Sequence, residues 1–128
     1  MEVLRSGLEK SLRQFAEEIS ASEPGLMWSV GSSENEEFLL RAYLSFLKDK
    51  NGDEVAITVD VRNNQVGLLV DVDICNYNNS IIASTSSTIG IAATEKDAAL
   101  VCGHWLQSFE KFLYENLSNI RDALSGMN

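Results

Sequence analysis

The sequence predicts an α+β fold, an antiparallel β-meander of about four to five strands with an N-terminal helix and a long C-terminal helix packed on one face. Three observations carry this expectation. Apolar residues recur at helical spacing near both ends of the chain, they alternate with polar residues through its middle, and an Asn-Gly pair sits between two alternating segments.

Leu4, Leu8, Leu12, Phe15 and Ile19 recur every three or four residues with Glu9, Lys10, Arg13, Glu17 and Glu18 between them, the pattern of an amphipathic helix. It ends before Glu23-Pro24-Gly25, because the residue preceding a proline is pushed out of the helical region. Leu26 to Gly31 reads as a short strand or an irregular entry. Residues 38 to 48 fit either a helix or a strand by spacing alone, and the following segment decides for a strand. Asn51-Gly52 is a favoured two-residue hairpin turn, and Val55, Ile57, Val59 and Val61 alternate after it. A turn at that pair sets Phe46 opposite Ile57, Leu44 opposite Val59 and Ala42 opposite Val61, apolar against apolar each time.

Arg62-Asn63-Asn64-Gln65 offers a second tight turn, after which Val66, Leu68, Val70, Val72 and Ile74 alternate and face Val61, Val59, Ile57 and Val55. Asn76-Tyr77-Asn78-Asn79 is a third turn by composition. Ser80 to Ile91 is a Ser/Thr-rich strand, the last of the meander and an edge that can accept another strand. Thr94 caps the final helix, with acids in its first turn. Cys102, Leu106, Phe109, Leu113, Leu117, Ile120 and Leu124 form its apolar stripe, which predicts one helix running to Ser125 with Gly126 as its stop; whether Gly103 interrupts it near the start stays open at this point.

The chain has 128 residues, of which 45% are apolar and 23% charged, values of an ordinary globular domain, and one domain over 1–128 is expected. The formal net charge of −9 repels nucleic-acid phosphates and anionic membrane surfaces, so neither is an expected partner. Residues 1 to 7 carry Glu2 and Arg5 and lack the apolar stretch of a signal peptide; no apolar run reaches the length of a membrane span. Cys75 and Cys102 form no C-x-x-C spacing and read as reduced thiols, which suits a cytoplasmic location.

Catalytic signatures are missing from this reading. His104 is the only histidine, which excludes paired-histidine metal motifs, and no local pattern joins it to Cys75 as base and nucleophile. Gly31-Ser32-Ser33 and Gly103 match no phosphate-binding loop. The Asp71-x-Asp73 pair supplies too few oxygens for a hard cation and follows no EF-hand spacing. No enzyme activity, metal or cofactor is therefore expected.

The functional expectation is a protein-binding module of the inhibitor, immunity, chaperone or adaptor type, acting through an acidic sheet face. With the pairing above, Glu54 lies opposite Asp73, Ala56 opposite Asp71, and Asp60 opposite Gly67 and beside Tyr43, all pointing away from the core. Like charges facing one another in a sheet are unfavourable, so such a face suits a basic protein partner as well as plain solvation. Glu54, Asp60, Asp71, Asp73 and Tyr43 are its candidate binding residues. Two alternatives remain open: a small-ligand pocket between sheet and long helix lined by Trp28, Phe46, Trp105 and Phe109, and a homodimer formed through the Ser80 to Ile91 edge.

Overall fold

The computed structural model describes residues 2–90, 92 and 94–127. In chain order the elements are α1 (Glu2–Ser20), β1 (Met27–Ser33), β2 (Leu40–Leu47), β3 (Glu54–Asn64), β4 (Gly67–Cys75), β5 (Ile81–Gly90), α2 (Glu95–Glu115) and α3 (Leu117–Ser125). The five strands form one antiparallel sheet in the order β1-β2-β3-β4-β5, each paired with its neighbour in sequence. An α+β meander with helices at both ends is the architecture the periodicities predict.

Alternation produces a sheet with two unlike faces. Leu40, Ala42, Leu44 and Phe46 of β2, Val55, Ile57, Val59 and Val61 of β3, and Val70, Val72 and Ile74 of β4 are buried in one cluster with Leu4, Leu8, Leu12, Phe15 and Ile19 of α1. Phe109 and Leu113 of α2 and Ile120 and Leu124 of α3 complete that cluster, so all three helices lie on the same side of the sheet. Burying each large aliphatic side chain contributes roughly 1.5–3 kcal/mol. Polar ties fix the helices above it: the Ser11 hydroxyl donates to Glu110 at 2.7 Å, and Ser32 of β1 donates to Glu9 at 2.7 Å. The Tyr114 hydroxyl donates to Glu18 at 2.6 Å while its ring meets Phe15 edge-on at 5.3 Å.

Both hairpin registers differ from the expected ones, and the turns explain why. Between β2 and β3 the partners are Leu44 with Ile57 and Phe46 with Val55, two residues away from the register of an Asn51-Gly52 turn. Asp49 takes over the turn: its carbonyl accepts from the Gly52 N–H at 3.0 Å and its carboxylate from the Asn51 N–H at 3.1 Å. The aspartate closes an Asx turn inside a longer loop, and a shift of two preserves which face each residue occupies. Between β3 and β4 the shift is four. Gln65 and Val66 form the tight turn, so Val66 leaves the apolar stripe and stands 63% exposed. Ile57 then pairs with Ile74, Val59 with Val72 and Val61 with Val70.

The C-terminal helix is broken at Asn116, not at Gly103. A continuous helix would send the Asn116 backbone N–H to the Phe112 carbonyl. The Asn116 side-chain amide occupies that carbonyl instead, at 2.9 Å, and the backbone N–H turns to Leu113 at 3.2 Å. Local side-chain competition of this kind ends one helix and lets the next begin at a new angle. At the other end, the Thr94 hydroxyl caps α2 by accepting from the Asp97 N–H at 3.1 Å, as expected. Of the predicted stripe, Phe109, Leu113, Ile120 and Leu124 are buried, whereas Cys102, Leu106 and Leu117 are half-buried and pack at the margin of the core.

Gly67 follows the Gln65-Val66 turn with φ of 147°, and a side-chain carbon there would collide with the Ile89 carbonyl of β5. Gly67→Ala is therefore expected to cost about 1–3 kcal/mol in chemical denaturation, while Gly90→Ala, with open space around it, stays near neutral. Equal midpoints for the two variants contradict this reading. Burial, and then the bond to Glu18, push the Tyr114 phenol up to about 12. A phenol titrating near 10 in the unfolded chain and higher in the folded one gives stability that is whole below about pH 10 and lost above it. Tyr114→Phe is expected to flatten the alkaline fall in stability between these values, modestly because the residue is part-exposed.

Candidate functional site

The sheet face opposite the helices is open, and the acidic residues gather on it. Residues directly opposite on neighbouring strands share a face, so the pairings build rows across the sheet. One row runs from Ser33 through Arg41, Asp60 and Asp71 to Ser86; the next runs from Gly31 through Tyr43, Thr58 and Asp73 to Ser84. Asp60, Asp71, Asp73 and Tyr43 thus lie together on the exposed face, as predicted. Their pairing is corrected: Asp60 faces Asp71 and not Gly67, Asp73 faces Thr58 and not Glu54, and Tyr43 neighbours Thr58. Ala56 faces Cys75, and Glu54, beyond the last β3–β4 pair, stands opposite Leu47.

The two aspartates that face each other have different surroundings. Asp60 is held by Arg41 through two hydrogen bonds at 2.5 and 3.1 Å, a bidentate pair. That bond raises the Arg41 guanidinium further above its ordinary range. The same guanidinium lies 4.2 Å from the ring centre of Phe38, and Arg62 lies 4.7 Å from it, so two cations cover an aromatic ring at the end of the face. Asp60 is therefore a structural anion, only 13% exposed along its side chain. Asp71 and Asp73 have no counter-ion among the described residues and sit half-buried on β4. Glu54 is tied down by the Ser45 hydroxyl, which donates to it at 2.7 Å, at the margin of the cluster.

Tyr43 supplies the apolar part of this face. It is 38% exposed, and its ring lies across Gly31 of β1, where any side-chain carbon would come within 2.8 Å of the ring. Glycine at that position lets the ring lie flat over an edge strand, leaving an aromatic surface on the β1 side of the face that carries the acids. Cys75 shares the face; burial, with Asp73 and Glu54 adding to it, pushes its thiol up. The thiol stays protonated and is not an activated nucleophile. His104 is exposed on α2, and among the described residues no three or more His, Cys, Asp or Glu side chains group to hold a metal ion. No helix among them is long and apolar enough to cross a membrane.

On the helix side, small residues leave space. The inward positions of β5 opposite Ile74, Val72 and Val70 are Ala83, Thr85 and Ser87. A cavity of about 190 Å³ opens there, lined by Val72, Thr85, Ser87, Trp105, Ser108, Phe109 and Phe112. Trp105 stacks on Phe109 with ring centres 5.3 Å apart, and its indole N–H donates to the Ser87 hydroxyl at 2.8 Å. Of the expected pocket residues Trp105 and Phe109 line this cavity, while Phe46 is sealed in the core and Trp28 packs at the β1 side. A second opening, of about 310 Å³, lies between Gly67, Leu68, Ile89 and the start of α2, with Cys102 in its wall. The sequence reading missed the two β5 hydroxyl residues of the first cavity, Thr85 and Ser87, because the register of β5 was not legible.

Comparison with protein-family models, with curated proteins and with solved structures gives no match, so the site rests on its own geometry.

The protonated state of Cys75 yields a direct check on the acidic cluster. Its alkylation at neutral pH is expected to be slower than that of a free model thiol and to rise measurably in Asp73→Asn, read by mass spectrometry of the labelled peptide. A rate indifferent to Asp73 contradicts the proximity of the two groups.

Proposed function

We propose that this protein is a non-catalytic protein-binding module that engages a basic partner through the open sheet face around Asp71, Asp73 and Tyr43. The observation that carries this reading is the uncompensated pair on β4: two carboxylates on one face, Asp71 across from an aspartate already engaged by Arg41, with an exposed tyrosine two strands away on β2 of the same face. Placing Asp71 directly opposite Asp60 costs stability in the isolated sheet, and a cation from a partner relieves that cost. An exposed aromatic flanked by charge is the composition of an interface anchor with a steering rim. The net charge of −9 adds long-range attraction for a basic protein. Glu54 contributes to that field from the margin, and Asp60 keeps its structural partner.

A second reading, a small-ligand domain, draws on one observation: the cavity beside Trp105 combines stacked aromatic walls with the hydroxyls of Thr85, Ser87 and Ser108. Its volume of about 190 Å³ is below the ordinary range of roughly 300–1,000 Å³ for ligand sites, which places this reading second.

Charge reversal separates location from net charge. Asp71→Lys with Asp73→Lys is expected to abolish capture of the basic partner from the native cell lysate at low salt, with the fold intact by circular dichroism. Glu17→Lys with Glu95→Lys, exposed on α1 and α2, makes the same change in net charge and is expected to retain it. Equal loss in both variants reduces the effect to bulk charge and removes the sheet face from the account.

A further inference from the structure

Charge is distributed unevenly along the two edges of the sheet. From Asn76 to Thr94 the sequence contains no Asp, Glu, Lys or Arg, and from Ala98 to Phe109 it contains none again. The first stretch holds the whole of β5, an outer strand with β4 as its only neighbour among the described residues. The second is the part of α2 that flanks β5: Trp105 bonds to Ser87, and Val101 and Cys102 share a cavity wall with Ile89 and Gly90. The edge strand and the part of α2 that flanks it thus carry no Asp, Glu, Lys or Arg, and Leu100 stands 55% exposed there.

Outer strands present unpaired backbone groups, and proteins block them with lysine, proline, bulges or short length. β5 has ten residues, with neither charge nor proline, and the only irregularity in its pairing lies at its first residues, opposite Ile74 and Cys75. The opposite edge is guarded. β1 has only seven residues, and Glu34, Glu36 and Glu37 follow its end, with Glu34 engaged by Arg5.

We propose that β5 is a self-association edge, pairing antiparallel with β5 of a second copy about a two-fold axis to join two sheets into one. A strand that pairs with its own copy in antiparallel sense closes the assembly at two molecules, whereas two open edges would build a fibre. The second copy is the occupant favoured by charge: two molecules each carrying −9 repel least where neither presents a charge, and a basic partner gains little at an edge strand without charge. The flanking half of α2 comes against its equivalent in the same contact, covering Leu100.

The two surfaces respond to salt in opposite directions. Capture of a basic partner by the acidic face weakens as salt rises, while pairing of two acidic molecules through a neutral edge holds or tightens because their repulsion is screened. Sedimentation equilibrium of the full chain from micromolar to millimolar concentration is expected to show the mass double from 14.1 kDa. Hydrogen exchange is expected to show amides of β5 gaining protection as the dimer forms. Ser84→Lys with Ser86→Lys places two cations on the open face of the edge without touching the core and is expected to restore the single-chain mass. Ser29→Lys with Ser33→Lys on β1 leaves the dimer intact. A mass of 14.1 kDa at every concentration overturns the proposal, as does a dimer that survives the β5 lysines or protects other strands. Sedimentation and exchange of the unsubstituted chain leave Asp71 and Asp73 untouched, so failure there leaves the acidic-face reading to its own test; the β5 lysines stand opposite Asp71 and Asp73 and are read for mass alone.

Discussion

The alternation of branched apolar residues along β2, β3 and β4 is the constraint from which the rest of the structure follows. Eleven buried side chains on these strands all point to one side, so the sheet has a single face that must be covered. Three helices are enough to cover it, and all three go there. Nothing apolar of comparable extent remains on the other face to attract a second layer. Polar and acidic residues occupy it because every second position of the same strands must point that way. The open acidic face is thus the geometric complement of the core.

Coverage by the helices is uneven. Over β1 to β3, aliphatic side chains from α1 and α3 fill the space to the sheet. Over β5 the inward residues are Ala83, Thr85 and Ser87, too short to meet α2. The break at Asn116 adds to this, since it lets α3 turn onto the core while α2 keeps its own direction. The cavity beside Trp105, walled by Thr85 and Ser87, lies in this gap. The Trp105 to Ser87 hydrogen bond bridges the gap where packing does not.

Most of the fold was legible in the sequence because it depends on periodicity. Both helical stripes, the three long alternating strands, the meander order and the Thr94 cap are patterns of period 3.6 or 2, or a local cap. What was not legible depends on competition between local groups. Asp49 outcompetes Asn51-Gly52 for the first turn, Val66 enters a turn in spite of its β-branched side chain, and Asn116 takes a carbonyl from its own backbone. The two register shifts of even size preserve the faces, so Asp60, Asp71, Asp73 and Tyr43 were placed on the correct side but with the wrong neighbours. The partnership of Arg41 with Asp60 was hidden by the same shift: the expected register set Asp60 beside Tyr43, and the observed one sets it beside Arg41.

That partnership divides the acidic cluster into a structural aspartate and two available ones, which places the proposed binding surface on β4 and Tyr43. Titration of isotopically labelled protein with a short lysine-rich peptide, followed by amide chemical shifts at low salt, tests this directly. The account predicts that the largest shifts fall on Tyr43, Asp71, Asp73 and their cross-strand neighbours, fade with added salt and spare the helices. Shifts centred on α1 or α2, or spread evenly over all the acidic residues, would contradict it.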